Sequence, residues 1–171
     1  MDYALPPYPR KDTILFTHVL LATDGTELSQ AANLKGIRFA KECNAKVTGV
    51  SVMPEFHVLT FNTMMLEDTK EQFLVESRAQ AKKNLAMLQK AAAEEGVPCD
   101  TVVEISDHPY EAIIRTADSK GCDLILMASH GRRGVPGLLL GSETQMVLTH
   151  ARSQVAVYRA APPDGPGTHR G

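Results

Sequence analysis

The sequence contains no tryptophan, and aromatic residues make up only 5% of its 171 positions. It therefore offers no aromatic platform for stacking nucleic-acid bases, and its core must be aliphatic. Neither charge is in large excess, since 18 Lys and Arg stand against 20 Asp and Glu for a formal net charge of −2. Such a balance gives no overall positive field toward nucleic acid or an anionic membrane, so any polyanion must be recognised locally. Cys43, Cys99 and Cys122 stand too far apart for a CxxC redox pair or a zinc knuckle. They read as reduced thiols that act as small hydrophobes. No apolar run approaches the ~20 residues of a membrane span, and Met1-Asp2-Tyr3 lacks the basic start of a secretory signal. A soluble, cytoplasmic protein is expected. A hydrophobic share of 43% against 22% charged then excludes a disordered chain, and the length suits one domain with its own core.

The ends differ from the middle. Pro6, Pro7 and Pro9 mark residues 1–12 as a flexible segment, and residues 161–171 as a disordered Pro/Gly tail, which leaves 13–160 as the domain. Within it, apolar runs over 14–23, 46–53, 101–105, 123–128 and 154–158 read as strands. Helical spacing separates them. Residues 27–43 place Leu28, Ala32, Ile37 and Ala40 on one stripe, and residues 67–96 do the same with Phe73, Ala81, Leu85, Leu88 and Ala92 before Gly96-Val97-Pro98. A third helix over 109–119 opens on Pro109 and stops at Gly121, and a fourth runs over 142–150. Alternating strands and helices predict a doubly wound α/β fold, a Rossmann-like, five-stranded parallel sheet sandwiched by about four helices. In such sheets ligands sit beyond the carboxyl ends of the strands, where the strand order reverses. That directs attention to Ala22, Thr23, Asp24 and Thr26, to the residues from Met53 onward, and to the stretch 128–142. The connection over 54–65, with Phe56, Val58, Leu59, Phe61, Met64 and Met65, is long and apolar enough to be a lid or a docking surface.

Residues 128–142 read ASHGRRGVPGLLLGS, a glycine-bearing loop that runs from the fourth strand into a helix. Backbone N–H groups of such a loop and of the helix's first turn can converge on a phosphate. Ser142 equally suits a helix N-cap, and Arg132 and Arg133 add positive charge or lie solvated at the surface. Asp24, closing the first strand, can accept bonds from ribose hydroxyls or hold a metal; an Asx turn or a helix cap accounts for it equally well. No Gly-x-Gly-x-x-Gly is present, and Leu139-Leu140-Gly141 precedes Ser142 where a Walker lysine would stand, which removes P-loop NTPases and dinucleotide oxidoreductases. Ser129-His130 lacks the flanking glycine of a nucleophile elbow, and adjacent residues of an extended segment point opposite ways. The six histidines show no HxxxH pair and no carboxylate at ligand spacing.

Thr23-Asp24 at the end of the first strand, and Met127-Ala128-Ser129-His130-Gly131 followed after nine residues by Gly141-Ser142, resemble the universal stress protein family. The nucleotide-binding branch of that family carries a Gly-x2-Gly-x9-Gly-Ser/Thr signature, and the likeness covers about residues 13–160. The resemblance implies an adenine nucleotide hydrolase-like fold, binding of ATP or AMP with or without Mg, and dimers that pair the last strand, Gln154 to Tyr158, with its copy. It implies Asp24 on the ribose, Thr23 and Val52 beside the adenine, and Met127 and Ala128 under the ribose, with Gly131, Gly141, Ser142 and Thr144 around the phosphates. Ala22 and Arg132 border these positions. Two residues depart from the pattern: Ala128 replaces a glycine, and Glu143 brings a negative charge directly after Gly141-Ser142.

Two functions are therefore expected to compete. One is a stress-response regulator that binds adenine nucleotide with at most slow hydrolysis, since Glu143 is the only nearby candidate base. The other is a nucleotide-free dimeric interaction protein in which Ala128 and Glu143 close the pocket and the 54–65 connection recruits an unknown protein partner.

Overall fold

A computed structural model describes residues 15–57, 63–131 and 140–160, with residues 63–69 described by their backbone alone. The expected flexible ends, the start of the first strand at Ile14, the middle of the 54–65 connection, and Arg132 and Arg133 lie outside the described residues. Nine elements alternate along the chain: β1 (His18–Ala22), α1 (Glu27–Glu42), β2 (Lys46–Met53), α2 (Thr63–Glu94), β3 (Cys99–Ile105), α3 (Pro109–Lys120), β4 (Leu124–Ala128), α4 (Ser142–His150) and β5 (Gln154–Tyr158). The strands form one parallel sheet in the order β3-β2-β1-β4-β5.

Side-chain alternation along the central strands divides the interior in two. Val19 and Leu21 of β1 join Leu124, Leu126 and Ala128 of β4 beneath α1 and α2, where they meet Ala32, Ile37, Ala40, Leu88 and Ala92. Leu20, Ile125 and Met127 point the other way, against Ile113 and Ala117 of α3 and Val147 of α4. Both faces of β1 and β4 are thus covered, which is why these strands read as unbroken apolar runs. Gly36 lets α1 lie close on the sheet, because a Cβ there would stand 2.4 Å from Leu21 Cδ2.

Three elements start two or more residues away from where the sequence places them. β1 begins at His18, four residues late: the Thr17 carbonyl still accepts the Lys46 N–H at 3.0 Å, but its N–H and hydroxyl both turn to a side chain, donating to Asp123 Oδ2 at 2.8 and 2.7 Å. α2 begins at Thr63, not 67, since Met64, Met65 and Leu66 are good helix formers and no Pro or Gly stops the helix from extending backward. β3 begins at Cys99, where its register with Val47 starts.

His18 lies inside the sheet at 4% exposure, its Nε2 2.8 Å from Thr48 Oγ1. Burial, aided by the Lys46 charge, holds its pKa below the ordinary 6.5. The unfolded chain therefore takes up a proton at a higher pH than the folded one, so this group favours folding above about pH 6.5 and loses that contribution as pH falls below it. Urea unfolding at pH 7.5 and 5.5 should give a lower midpoint at pH 5.5, with a slope from this group of at most about 1.4 kcal/mol per pH unit. His18→Gln should flatten it; an equally steep dependence in the variant would assign the effect elsewhere.

Candidate functional site

The strand order reverses between β1 and β4. The chain leaves β1 toward α1 on one face and leaves β4 toward α4 on the other, so the two exit loops diverge and open a crevice at the carboxyl edge. On the β1 side, Thr23 is buried and its N–H still donates to Val50 O at 2.9 Å, which continues the ladder one residue past Ala22. Asp24 then closes an Asx turn: its Oδ1 accepts from the N–H of Thr26 at 3.0 Å and from the Thr26 hydroxyl at 2.7 Å. Thr26 in turn caps α1 through Ser29 N–H. The other Asp24 oxygen faces the β4 exit, where a Cβ on Gly131 would stand 2.7 Å from Oδ2. A side chain at 131 would collide with that carboxylate, so the glycine is what lets the β4 exit pass beside Asp24 at the base of the crevice. Gly25 takes φ +82° against the side chain of Asn84 from α2, 2.4 Å from where a Cβ would lie.

On the β4 side, Met127 and Ala128 are buried on opposite faces of the sheet, and the Ala128 methyl packs into the α1–α2 cluster. The Ala128 carbonyl accepts the buried hydroxyl of Thr144 at 3.1 Å, and Gly141 N–H donates to Ser129 O at 2.8 Å. These two bonds fix the start of α4 against the end of β4. Gly141, not Ser142, is the N-cap; Ser142 is the exposed first helical residue, and no side chain among the described residues caps the helix. The capping role expected for Ser142 is absent because Gly141 already has the extended cap backbone, φ −71° and ψ 159°. Uncapped first-turn N–H groups carry the positive end of the helix dipole.

Glu143 turns away from this helix start. Its Oε2 accepts the N–H of Tyr110, in the first turn of α3, at 2.9 Å. The α3 N-cap residue, His108, supplies no side-chain bond of its own, so Glu143 caps α3 from α4. Glu143→Ala should lower stability by about 1 kcal/mol in urea unfolding, and Glu143→Gln, which keeps an acceptor, should recover most of it. An alanine variant as stable as the parent would remove the cap from the account.

Val52, half-buried on β2 in register with Glu104, borders the crevice from the next strand, and Ala22 closes β1 opposite Val50. Ser129 and His130 do not point opposite ways as expected. β4 ends at Ala128, the chain bends at Ser129, and Ser129 Oγ lies 3.1 Å from His130 Nδ1. Ser129 is buried, which makes it a poor nucleophile for a substrate in the crevice. Sequence reasoning missed Asn84 and Tyr110. Asn84 left a trace as a polar residue beside Ala81, Leu85 and Leu88 on the inward stripe of α2; Tyr110 left none, because its backbone makes the contact.

The universal stress protein family pattern matches residues 15–159. The chain belongs to the universal stress protein family. Universal stress protein YxiE of Bacillus subtilis (strain 168) is 31% identical over 149 residues, covering 85% of this chain and all of that one. Among solved structures, universal stress protein UspA from Lactobacillus plantarum superposes with a TM-score of 0.74 at 24% identity, over 84% of this chain and 97% of that one. A universal stress protein from Archaeoglobus fulgidus in complex with dAMP gives 0.61 at 16% identity, over 85% and 98%. At these identities the structural likeness shows the fold, and the five parallel strands and four helices of this universal stress protein share it. No helix among the described residues is long and apolar enough to cross a membrane.

Proposed function

We propose that this universal stress protein is a cytoplasmic stress-response regulator that binds ATP or AMP in the crevice between β1 and β4, accompanied by Mg when the ligand is a triphosphate. The observation that carries the reading is the start of α4. A glycine N-cap with no side-chain cap leaves the first-turn N–H groups of Ser142, Glu143 and Thr144 to a phosphate, across the crevice from the contact between Asp24 and Gly131. Thr23 and Val52 suit the adenine side and Met127 and Ala128 the floor under the ribose. Asp24, held by its Asx turn to Thr26, is assigned to the ribose. The dAMP complex of the Archaeoglobus fulgidus relative supports the ligand class.

Both features behind the nucleotide-free alternative lose force, since the Ala128 methyl packs into the core and the Glu143 carboxylate is committed to Tyr110. The same commitment removes the nearest general base, which favours a binding protein with at most slow hydrolysis. The protein is proposed to form a homodimer through β5. Denaturing freshly purified protein and assaying the supernatant for adenine nucleotides, with melting curves with and without MgATP and AMP, tests the reading. Released nucleotide or a clear upward shift is expected; neither result would leave the crevice without its ligand and return the interaction-protein reading.

A further inference from the structure

At the carboxyl ends of β2 and β3, on the opposite side of β1 from β4, three side chains with metal-ligating atoms converge. One ligand atom from each of Glu55, His57 and Asp107 lies within 4.8 Å of the other two. The residues come from two segments about fifty positions apart in sequence, so no ligand spacing reveals them, and the carboxylate partner of His57 is one that only the fold supplies. The fold itself holds the segments together. Ser106 N–H donates to Met53 O at 3.0 Å as the two strands end, and Glu55 N–H donates to Asp107 Oδ1, also at 3.0 Å. Phe56 points the other way and packs on Phe73 of α2, with ring centroids 5.5 Å apart, which anchors the residue between Glu55 and His57. His57 Nε2 meets Asp107 Oδ2, the second oxygen of the same carboxylate.

The geometry points to a binding site for a divalent transition-metal ion, held by Glu55, His57 and Asp107. Two carboxylates beside one imidazole leave the trio with net negative charge whether or not the ring is protonated, and among the described residues no Lys or Arg pairs with Glu55 or Asp107. One nitrogen and two carboxylate ligands suit Zn²⁺, Co²⁺, Ni²⁺ or Mn²⁺ better than Mg²⁺ or Ca²⁺, which favour oxygen alone. Binding would replace the direct His57–Asp107 contact, with Nε2 giving up its proton to solvent and both atoms turning to the ion. Three protein ligands leave positions for water. With the His57 side chain 63% and the Asp107 side chain 34% exposed, the ion can exchange with solution. Its structural effect would be to clip the segment that leaves β2 to the exit of β3.

The test is calorimetric titration of tag-free, nucleotide-free protein with CoCl2, which keeps it independent of the adenine-nucleotide reading. One equivalent is expected to bind to wild type. His57→Ala and Asp107→Asn should each weaken it at least about tenfold, since even losing an outer-shell partner costs that much. Cys43→Ser should bind as wild type does. All these side chains lie near the surface, and unchanged circular dichroism would show that the variants fold. Failure of wild type to take up Co²⁺, or binding by His57→Ala as tight as wild type, overturns the site and leaves His57–Asp107 as an ion pair only.

Discussion

Gly141→Val is expected to abolish the rise in melting temperature that the proposed binding of MgATP would give the wild-type chain. A ligand at 100 times its dissociation constant stabilises the folded state by about 2.7 kcal/mol. For a chain of this size each kcal/mol corresponds to roughly 2–4 °C, so the wild-type shift should be about 5–11 °C. Gly141 is where α4 passes closest to the exit of β4: a Cβ there would lie 3.2 Å from both Cα and Cβ of His130. Valine adds two further methyl groups at that approach, which pushes the helix start away from the loop and fills the space beside its first-turn N–H groups. Its φ of −71° is open to valine, so the variant is expected to fold and to lose the ligand response specifically. Asp24→Ala should lose the response as well, but it also removes the Asx turn to Thr26 and lowers the ligand-free melting temperature. The valine variant is therefore the sharper probe. A fluorimetric melting shift in Gly141→Val equal to that of wild type would place the nucleotide elsewhere.

What the sequence made legible follows from which forces are local. β2, α4 and β5 have the bounds expected from hydrophobic period and breakers alone, and Gly121 ends α3 in the left-handed conformation, φ +67°, that a glycine stop requires. The parallel sheet was legible because alternating elements leave few other ways to bury continuous strands such as 124–128. Non-local contacts were not legible. β1 starts late because Asp123, more than a hundred residues away, takes the Thr17 N–H. Glu143 read as a charge opposing phosphate; only the packing of α3 beside α4 brings Tyr110 N–H to it. The pairing of His57 with Asp107 likewise arises from the shared ends of β2 and β3, which strand pattern alone does not align.

Val157→Lys is expected to convert the proposed dimer to a monomer. β5 is one edge of the sheet, hydrogen-bonded to β4 alone, in register Met127 to Val157. The opposite edge, β3, carries Asp100 and Glu104, charges of the kind that discourage edge pairing. β5 reads QVAVY with no charge, and Val155, Ala156, Val157 and Tyr158 all remain partly exposed along it. An uncharged edge with half-covered apolar residues is a template for another strand, and antiparallel pairing with a second copy satisfies it with closed two-fold symmetry. Within the single chain Val155 packs toward α3 and α4, and Ala156 and Tyr158 pack toward α1 and α2; Val157 joins neither cluster. A lysine at 157 can therefore extend into solvent in the monomer with little effect on folding. In the pair, each lysine would be set into an apolar, uncharged edge that offers it no partner charge. Sedimentation velocity should give a species of twice the chain mass for wild type and of the chain mass for the variant. A variant that sediments as wild type would move the interface off β5.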